Sequence, residues 1–141
     1  MVTVYIPAEM RRLVYKRARG CCEYCLTPEI TEFSVHENEH IIARKHGGAT
    51  LADNLALSCA ICNRRKSSDL AAIDPKTGEV VRLFHPRRER WNKHFRLDDA
   101  HITPITSIGR ATVNLLQFNT PDRLAERELL IAFGLFRNFN P

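Results

Sequence analysis

The sequence CEYC at residues 22–25 and the sequence CAIC at residues 59–62 decide the fold of this chain. Each places two cysteines three positions apart, and 33 residues separate the two pairs. Two such turns can present four thiolates to one ion, which completes the tetrahedral shell that Zn²⁺ prefers and leaves no position for water. We therefore expect one structural zinc, with ordinary buried thiols or a redox pair as the alternatives. Its ligands would be Cys22, Cys25, Cys59 and Cys62.

The composition is that of a folded chain with a basic surface. Of 141 residues, 44% are hydrophobic and 26% are charged, which suits one domain with a buried core. Lysine and arginine number 21 against 16 acidic residues, and this formal net charge of +5 favours a polyanionic partner. No apolar run reaches the roughly 18 residues of a membrane helix, and residues 1–7 do not resemble a signal peptide. We expect a soluble, cytoplasmic protein with no membrane partner.

Periodicity and turn residues predict the elements around the cysteine pairs. A basic helix is expected over residues 7–19, because proline opens this stretch and glycine follows it. A strand is expected over residues 33–42, ending near His40, before a basic loop with two glycines. A second strand over residues 54–58 and a helix over residues 60–72 complete the order strand, loop, strand, helix.

The second half of the chain predicts a C-terminal extension. A strand is expected over residues 80–84 and a hairpin over residues 95–106. Two helices follow over residues 107–118 and 121–133, the first capped by Ser107. The apolar stripe of the last helix is predicted to be core and consists of Leu124, Leu129, Leu130 and Phe133. We predict a single domain, 1–141, made of the basic helix 7–19, a core at about 20–72 and an extension at 73–141.

Residues suited to phosphodiester chemistry lie between and beside the cysteine pairs. Glu39 and His40 end the first predicted strand, Asn54 begins the second, and Asn63 follows the last cysteine. The joint order of cysteines, Glu-His, Gly-Gly, Asn-Leu and Cys-Asn-x-x-Lys over residues 22–66 resembles the HNH nuclease family. The resemblance implies an α+β fold with a zinc-braced ββα-metal core. It also implies metal-dependent DNA hydrolysis that leaves 5′-phosphate and 3′-hydroxyl ends.

The side chains of this motif predict a division of labour. Hydrolysis needs a base to activate water and a cation to neutralise the phosphate. His40 can be the base, because an imidazole titrates near neutrality, whereas Glu39 and Asn63 offer oxygen ligands for one catalytic Mg²⁺ or Mn²⁺ ion. Neighbours on a strand point to opposite faces, so Glu39 and His40 can serve one phosphate only if the strand ends or bulges there. Asn54 is interpreted as a brace for the loop that carries His40, as the resemblance implies.

Basic residues are candidates for contacts with DNA. Lys66 lies three positions after Asn63 and so on the same helical face, where it would contact phosphate. The segment 82–96 holds six lysines and arginines against Glu89 alone, with aromatic residues interleaved, and we expect it to grip phosphate together with the N-terminal helix. The predicted nucleic-acid contacts are Arg44, Lys45, Arg64, Lys66, Arg87, Arg88 and Arg90.

Two other functions are compatible with the sequence. One is a zinc-stabilised nucleic-acid-binding module that is catalytically weak or inactive, although the presence of Glu39, His40 and Asn63 argues against it. The other is a zinc-braced protein interaction domain, against which a salt-dependent interaction with DNA would argue. A monomer and a homodimer are both compatible with the sequence.

Overall fold

The computed structural model describes residues 5–30 and 35–136, in which helices alternate with small antiparallel sheets. This arrangement confirms the predicted α+β class. The first four elements are α1 (Ala8–Ala18), β1 (Glu37–His40), β2 (Leu55–Ser58) and α2 (Ala60–Lys66). Strands β1 and β2 pair antiparallel, and α2 follows them directly, which gives the order β, β, α around the cysteine pairs.

The second half of the chain supplies two more hairpins and two helices. Its elements are β3 (Ala71–Ile73), β4 (Val80–Arg82), β5 (Phe95–Asp98), β6 (His101–Pro104), α3 (Ser107–Leu116) and α4 (Pro121–Ala132). Strand β3 pairs with β4, and β5 pairs with β6, each antiparallel. Helix α3 packs against α2, β3, β4 and β6, so the extension is built around α3.

Several element boundaries differ from those predicted. Helix α2 ends at Lys66 instead of residue 72, because Ser67 has a φ of 50° that does not continue a helix, and β3 then forms. Thr106, not Ser107, caps α3, since its Oγ1 accepts a hydrogen bond from the Gly109 backbone N–H at 3.0 Å. The first two residues of the strand predicted over 33–42 lie outside the described residues, and in the described remainder the strand is limited to β1 (Glu37–His40).

Helix α1 packs on the second strand of the cysteine-containing module. Val14 is fully buried against Leu55 and Leu57 of β2. The Arg17 guanidinium donates to the carbonyl oxygens of Ala52 and Leu55 at 2.9 and 2.7 Å. These contacts fix the helix at the point where β2 begins.

Aromatic residues of the extension cover the first cysteine turn. Ring centroids are 6.4 Å apart for Tyr24 and Phe84, 5.3 Å for Phe84 and Phe95, and 5.7 Å for Phe95 and Phe118. The indole N–H of Trp91 donates to the Tyr24 carbonyl oxygen at 2.8 Å. Edge and tilted ring contacts of this kind add to the stabilisation from burial. The cysteines and the extension therefore share one hydrophobic core cluster.

The buried face of helix α4 matches the predicted apolar stripe only in part. Arg123, Arg127 and Leu130 are its buried residues, whereas Leu129 and Phe133 of the predicted apolar stripe are exposed. Arg127 donates to two backbone carbonyl oxygens, those of residues 100 and 118, at 2.7 and 2.9 Å. Arginines thus occupy buried positions of α4 because carbonyl oxygens in the core accept their hydrogen bonds. In the described part of the chain, no helix has the length and apolar character needed to span a membrane.

Candidate functional site

The four predicted cysteines meet in one buried cluster. Their Sγ atoms all lie within 4.8 Å of one another, and the Cys25 and Cys59 sulfurs are 3.7 Å apart. Sulfurs placed tetrahedrally at about 2.3 Å from a zinc ion would be about 3.8 Å apart. The cysteines are therefore arranged to bind one metal ion, and a set of four thiolates fits Zn²⁺. The fifth cysteine, Cys21, lies outside this cluster and contacts the backbone oxygen of Arg19.

Local backbone bonds set the positions of the thiols. Cys59 is the N-cap of α2, and its Sγ accepts the Cys62 backbone N–H at 3.4 Å. Glu23, within the first turn, donates its backbone N–H to the Leu57 carbonyl oxygen at 2.8 Å, and its carboxylate accepts the Leu57 N–H at 2.9 Å. The first cysteine turn is thereby attached to β2, which runs into the second.

Arg123 contacts the cysteine cluster and was not identified from the sequence. Its guanidinium lies 3.2 Å from Cys62 Sγ and 3.7 Å from Cys59 Sγ, and it also donates to the Leu116 carbonyl oxygen at 2.8 Å. Hydrogen bonds from a cation stabilise thiolates and offset the negative charge of a four-thiolate site. The thiolates raise the pKa of Arg123 despite its burial. The sequence signal for this contact was the i, i+4 spacing of Arg123 and Arg127, which places both arginines on one face of a helix.

His40 stands at the end of β1 with its ring half-buried. Its Nε2 lies 2.9 Å from Thr50 Oγ1, and Arg44 Nη1 donates to the same hydroxyl oxygen at 3.1 Å. Partial burial and the positive charge of Arg44 both lower the pKa of His40 below its ordinary value. The ring is therefore neutral at neutral pH, the form that can accept a proton.

Asn54 closes the loop that follows His40. Its Oδ1 accepts the Ile42 N–H at 2.9 Å, and its Nδ2 donates to the carbonyl oxygens of Ile42 and Ala49 at 3.0 and 2.8 Å. The Asn54 carbonyl oxygen also accepts the Ile41 N–H at 2.8 Å. These bonds are the geometry expected of a brace, and they hold the backbone directly after the imidazole.

Glu39 points to the opposite face, into the core. It is 5% exposed, its Oε1 accepts the Tyr24 hydroxyl at 2.9 Å, and the Lys66 ammonium lies 3.1 Å from the same oxygen. Burial raises the pKa of Glu39, although Lys66 opposes this shift. Strand β1 keeps its regular register as far as the pairing of His40 with Leu55. Strand β1 has no bulge and ends at His40, so the condition that the strand ends or bulges at these two residues is met by its end.

Helix α2 places Asn63 and Lys66 over the same face of β1. Lys66 is 2% exposed, and its Nζ donates to the Ile41 carbonyl oxygen at 2.7 Å as well as facing Glu39. The prediction that Lys66 contacts phosphate is corrected, because its ammonium is enclosed by protein oxygens. Asn63 donates its side-chain N–H to Glu37, which the sequence analysis did not select. Side chains alternate between the two faces of a strand, so Glu37 and Glu39 share a face, and this spacing was the sequence signal for Glu37.

Ion pairs neutralise part of the predicted basic surface. Arg87 is paired with Glu23 and largely buried, and Arg82 binds Glu89 through two bonds of 2.6 and 2.8 Å. The exposed members of the predicted set are Arg44, Lys45, Arg64, Arg88 and Arg90. A cavity of about 510 Å³ is lined by Arg17 of α1 together with Arg87 and Arg90, so it joins the two basic regions of the sequence.

A β-hairpin joined to a short helix by four cysteines, with an imidazole at the end of its first strand, defines a metal-binding ββα module. Residues 22–69 match the family model described as HNH endonuclease. Residues 22–69 are therefore similar to the HNH family, which confirms the resemblance found over residues 22–66. Comparisons with curated proteins and with solved structures gave no significant match. HNH domains generally belong to nucleases, so the family indicates an activity related to nucleic acid.

Proposed function

We propose that this protein is a divalent-metal-dependent endonuclease that hydrolyses DNA phosphodiester bonds, with His40 as the general base. The observation that supports this most is the placement of His40 at the end of β1, within the segment 22–69 that matches the HNH model. Its ring is only half-buried, and Nδ1 has no protein partner among the described residues. The products would carry 5′-phosphate and 3′-hydroxyl ends.

Thr50 selects the nitrogen of His40 that accepts the proton. An arginine side chain can only donate, so the Thr50 hydroxyl oxygen accepts a bond from Arg44. A hydroxyl oxygen can accept a second bond, and in the tautomer that we propose the Nε2–H of His40 donates it at 2.9 Å. The neutral ring then carries its lone pair on Nδ1, which takes the proton of the attacking water.

The chain also offers oxygen ligands that fit a catalytic Mg²⁺ or Mn²⁺ ion. Glu39 Oε2 is buried and has no hydrogen-bond partner in the described part of the chain. An orphaned carboxylate oxygen is unfavourable unless a proton or a cation satisfies it. Glu39 and Asn63 would hold the ion, with Glu37 beside Asn63. The ion, when bound, neutralises charge on the phosphate and on the leaving oxygen.

One observation favours a second candidate function, a zinc-stabilised nucleic-acid-binding module without catalysis. Lys66 already supplies a cation to Glu39 at 3.1 Å, and both side chains are buried. A carboxylate held in this way can act as part of the core and bind no metal. In that case the exposed arginines would still bind the DNA backbone, but no bond would be cut.

Cleavage of an end-labelled duplex over a range of Mg²⁺ and Mn²⁺ concentrations tests the proposal. We expect His40→Ala to abolish cleavage at every metal concentration while zinc content and duplex affinity are kept. Glu39→Ala should need more metal for its residual activity, because a lost carboxylate weakens metal binding before it affects proton transfer. His101→Ala, at an exposed histidine of β6, is the matched control and should cleave normally.

Two results would contradict the assignment. Rescue of His40→Ala by extra metal as readily as Glu39→Ala would show that His40 is a metal ligand. Salt-dependent duplex binding by the unaltered protein, with no cleavage in either metal, would favour the non-catalytic module.

A further inference from the structure

A second cavity, of about 370 Å³, lies beside the loop that carries His40. One wall is formed by Ile42, residues 46–49, Asp53 and Asn54, and the other by His85, Arg87 and Arg88 of the basic segment. Ile42, on the first wall, is two positions after His40. The cavity therefore adjoins the proposed active site, although no residue of the catalytic assignment other than the brace Asn54 lines it.

Positive charge dominates the lining of this cavity. Arg88 is exposed and has no ion-pair partner among the described residues. Arg87 is paired with Glu23 through Nη2, but its Nη1 is buried without a hydrogen-bond partner in the described chain. The one acid of the lining is Asp53. Burial lowers the pKa of Arg17 of α1, and the negative charge of Asp53 opposes this shift. An anion would thus meet the charge of Arg88, which is in no ion pair among the described residues, and the free Nη1 of Arg87.

His85 adds a hydrogen-bond donor to the same wall. Its Nδ1 accepts the Arg87 backbone N–H at 3.2 Å, so the neutral ring carries its proton on Nε2. Burial and the neighbouring charge of Arg88 lower the pKa of His85, which keeps the ring in this form. Across the cavity, His46 uses its Nε2 to bond the Ser68 carbonyl oxygen at 3.1 Å. A guanidinium beside an imidazole N–H is a donor set suited to phosphate oxygens.

The opposite wall is fixed relative to His40. A Cβ atom at Gly48 would lie 1.7 Å from the Ile42 carbonyl oxygen and 2.8 Å from Asn54 Nδ2. Only glycine allows the loop to close on itself here, and the side chain of Asn54 then bonds both Ile42 and Ala49. An anion held in the cavity would therefore have a set position with respect to the general base.

We propose that this cavity binds a backbone phosphate of DNA next to the phosphate that is cut, with Arg88 and His85 as its contacts. The inference rests on the proposed function and adds to it a second phosphate subsite. Its role is to set the register of the DNA strand against His40. Fixing one phosphate places its neighbour along the strand at a defined distance, which is how positioning contributes to catalysis.

The test uses the zinc-loaded full chain with ¹³C-labelled histidine, without Mg²⁺ or Mn²⁺, so that binding is measured apart from cleavage. A short duplex is titrated in, and in a parallel arm inorganic phosphate is used. The ring signal of His85, assigned with His85→Gln, should shift saturably with duplex. Arg88→Gln should weaken that shift and the duplex affinity about tenfold and lower the slope of log affinity against log salt by about one. Lys76→Gln, at an exposed lysine outside this cavity and outside the predicted set of nucleic-acid contacts, should leave the His85 shift unchanged.

Three other outcomes would contradict the proposed phosphate subsite, and a fourth would contradict the proposed function. A duplex that binds without shifting His85 places the phosphate elsewhere. Equal effects of Arg88→Gln and Lys76→Gln on the His85 shift would reduce the contact to general surface charge. A shift with inorganic phosphate but not with duplex would indicate a free-anion site. A protein that binds no duplex contradicts the proposed function itself, and this result is distinguishable from the other three.

Discussion

Replacing Lys66 by methionine is expected to destabilise the protein by about 3–5 kcal/mol. The Lys66 ammonium lies 3.1 Å from Glu39 Oε1, and the two side chains are 3% and 4% exposed. Methionine keeps most of the buried length of the side chain but removes its charge. The Glu39 carboxylate would then be buried with only the Tyr24 hydroxyl to donate to it. The penalty is that of an unpaired buried charge, against a total stability of about 5–15 kcal/mol for a domain.

Adding Glu39→Gln should recover part of this loss. With both charges removed, the penalty falls to about 1–2 kcal/mol, because a neutral amide can still accept the Tyr24 hydroxyl. The loss in Lys66→Met should also depend on pH. Burial already raises the pKa of Glu39 in the folded state, and loss of Lys66 raises it further. A carboxyl group whose pKa is higher in the folded than in the unfolded state stabilises the fold below its unfolded pKa, and this stabilisation is lost as pH rises. Lys66→Met should therefore have a smaller free energy of unfolding at pH 8 than at pH 5.

Urea unfolding of the zinc-loaded protein, followed by fluorescence of Trp91, measures these differences. Trp91 is the one tryptophan of the sequence and is 4% exposed, so its emission reports the core. Lys45→Met is the control, because Lys45 is exposed on the loop after His40 and should change stability by less than about 0.5 kcal/mol. If Lys66→Met is as stable as Lys45→Met, and Glu39→Gln adds nothing to it, the buried ion pair does not stabilise the fold.

Three further predictions concern the metal cluster, the base and the basic segment. Arg123→Leu should weaken zinc affinity about tenfold in competition with a chromophoric chelator, because two cysteine sulfurs lose a donor; unchanged affinity would make Arg123 a core residue only. Arg44→Gln should raise the pKa of His40, since a nearby positive charge is removed, and so move the acid limb of the cleavage rate to higher pH; an unmoved limb would contradict the base assignment. Glu89→Gln should destabilise the protein by about 1–2 kcal/mol above pH 5 and by little at pH 2, as measured by thermal melts. The reason is that Arg82 above all lowers the pKa of Glu89 to about 2, so the stabilisation from the Glu89 carboxylate is lost on acidification. A loss of stability independent of pH would contradict the ion pair.

The features that could be predicted from the sequence depend on the local spacing of residues and on turn-forming residues. Two C-x-x-C turns require their thiols to face inward, and the structure brings Cys25 and Cys59 to 3.7 Å. The family match over residues 22–69 confirms the reading of the motif. Asn54 was interpreted as a brace, and its bonds to Ile42 and Ala49 have that geometry. Each of these inferences needed only a short stretch of chain and a known chemical preference.

The features that were missed depend on partners far away in the sequence. Glu39 and Lys66 look solvent-exposed in the sequence, but each is buried because the other supplies the opposite charge from 27 positions away. Arg123 and Arg127 face inward because carbonyl oxygens and thiolates accept their bonds, whereas hydropathy assigned the buried face of α4 to leucines. Local hydropathy carries no information about such acceptors. Helix α2 was extended too far because its composition allows a helix up to the backbone reversal at Ser67.

Nicking of supercoiled plasmid tests the central claim most directly. The zinc-loaded protein is incubated with plasmid in Mg²⁺ or Mn²⁺, beside His40→Ala of equal zinc content and equal duplex affinity. The assignment of His40 as base predicts that the unaltered protein converts the plasmid to open-circular or linear DNA and that His40→Ala leaves it supercoiled. Cleavage by His40→Ala at the rate of the unaltered protein, or no cleavage by the unaltered protein where it binds the plasmid, would contradict the account.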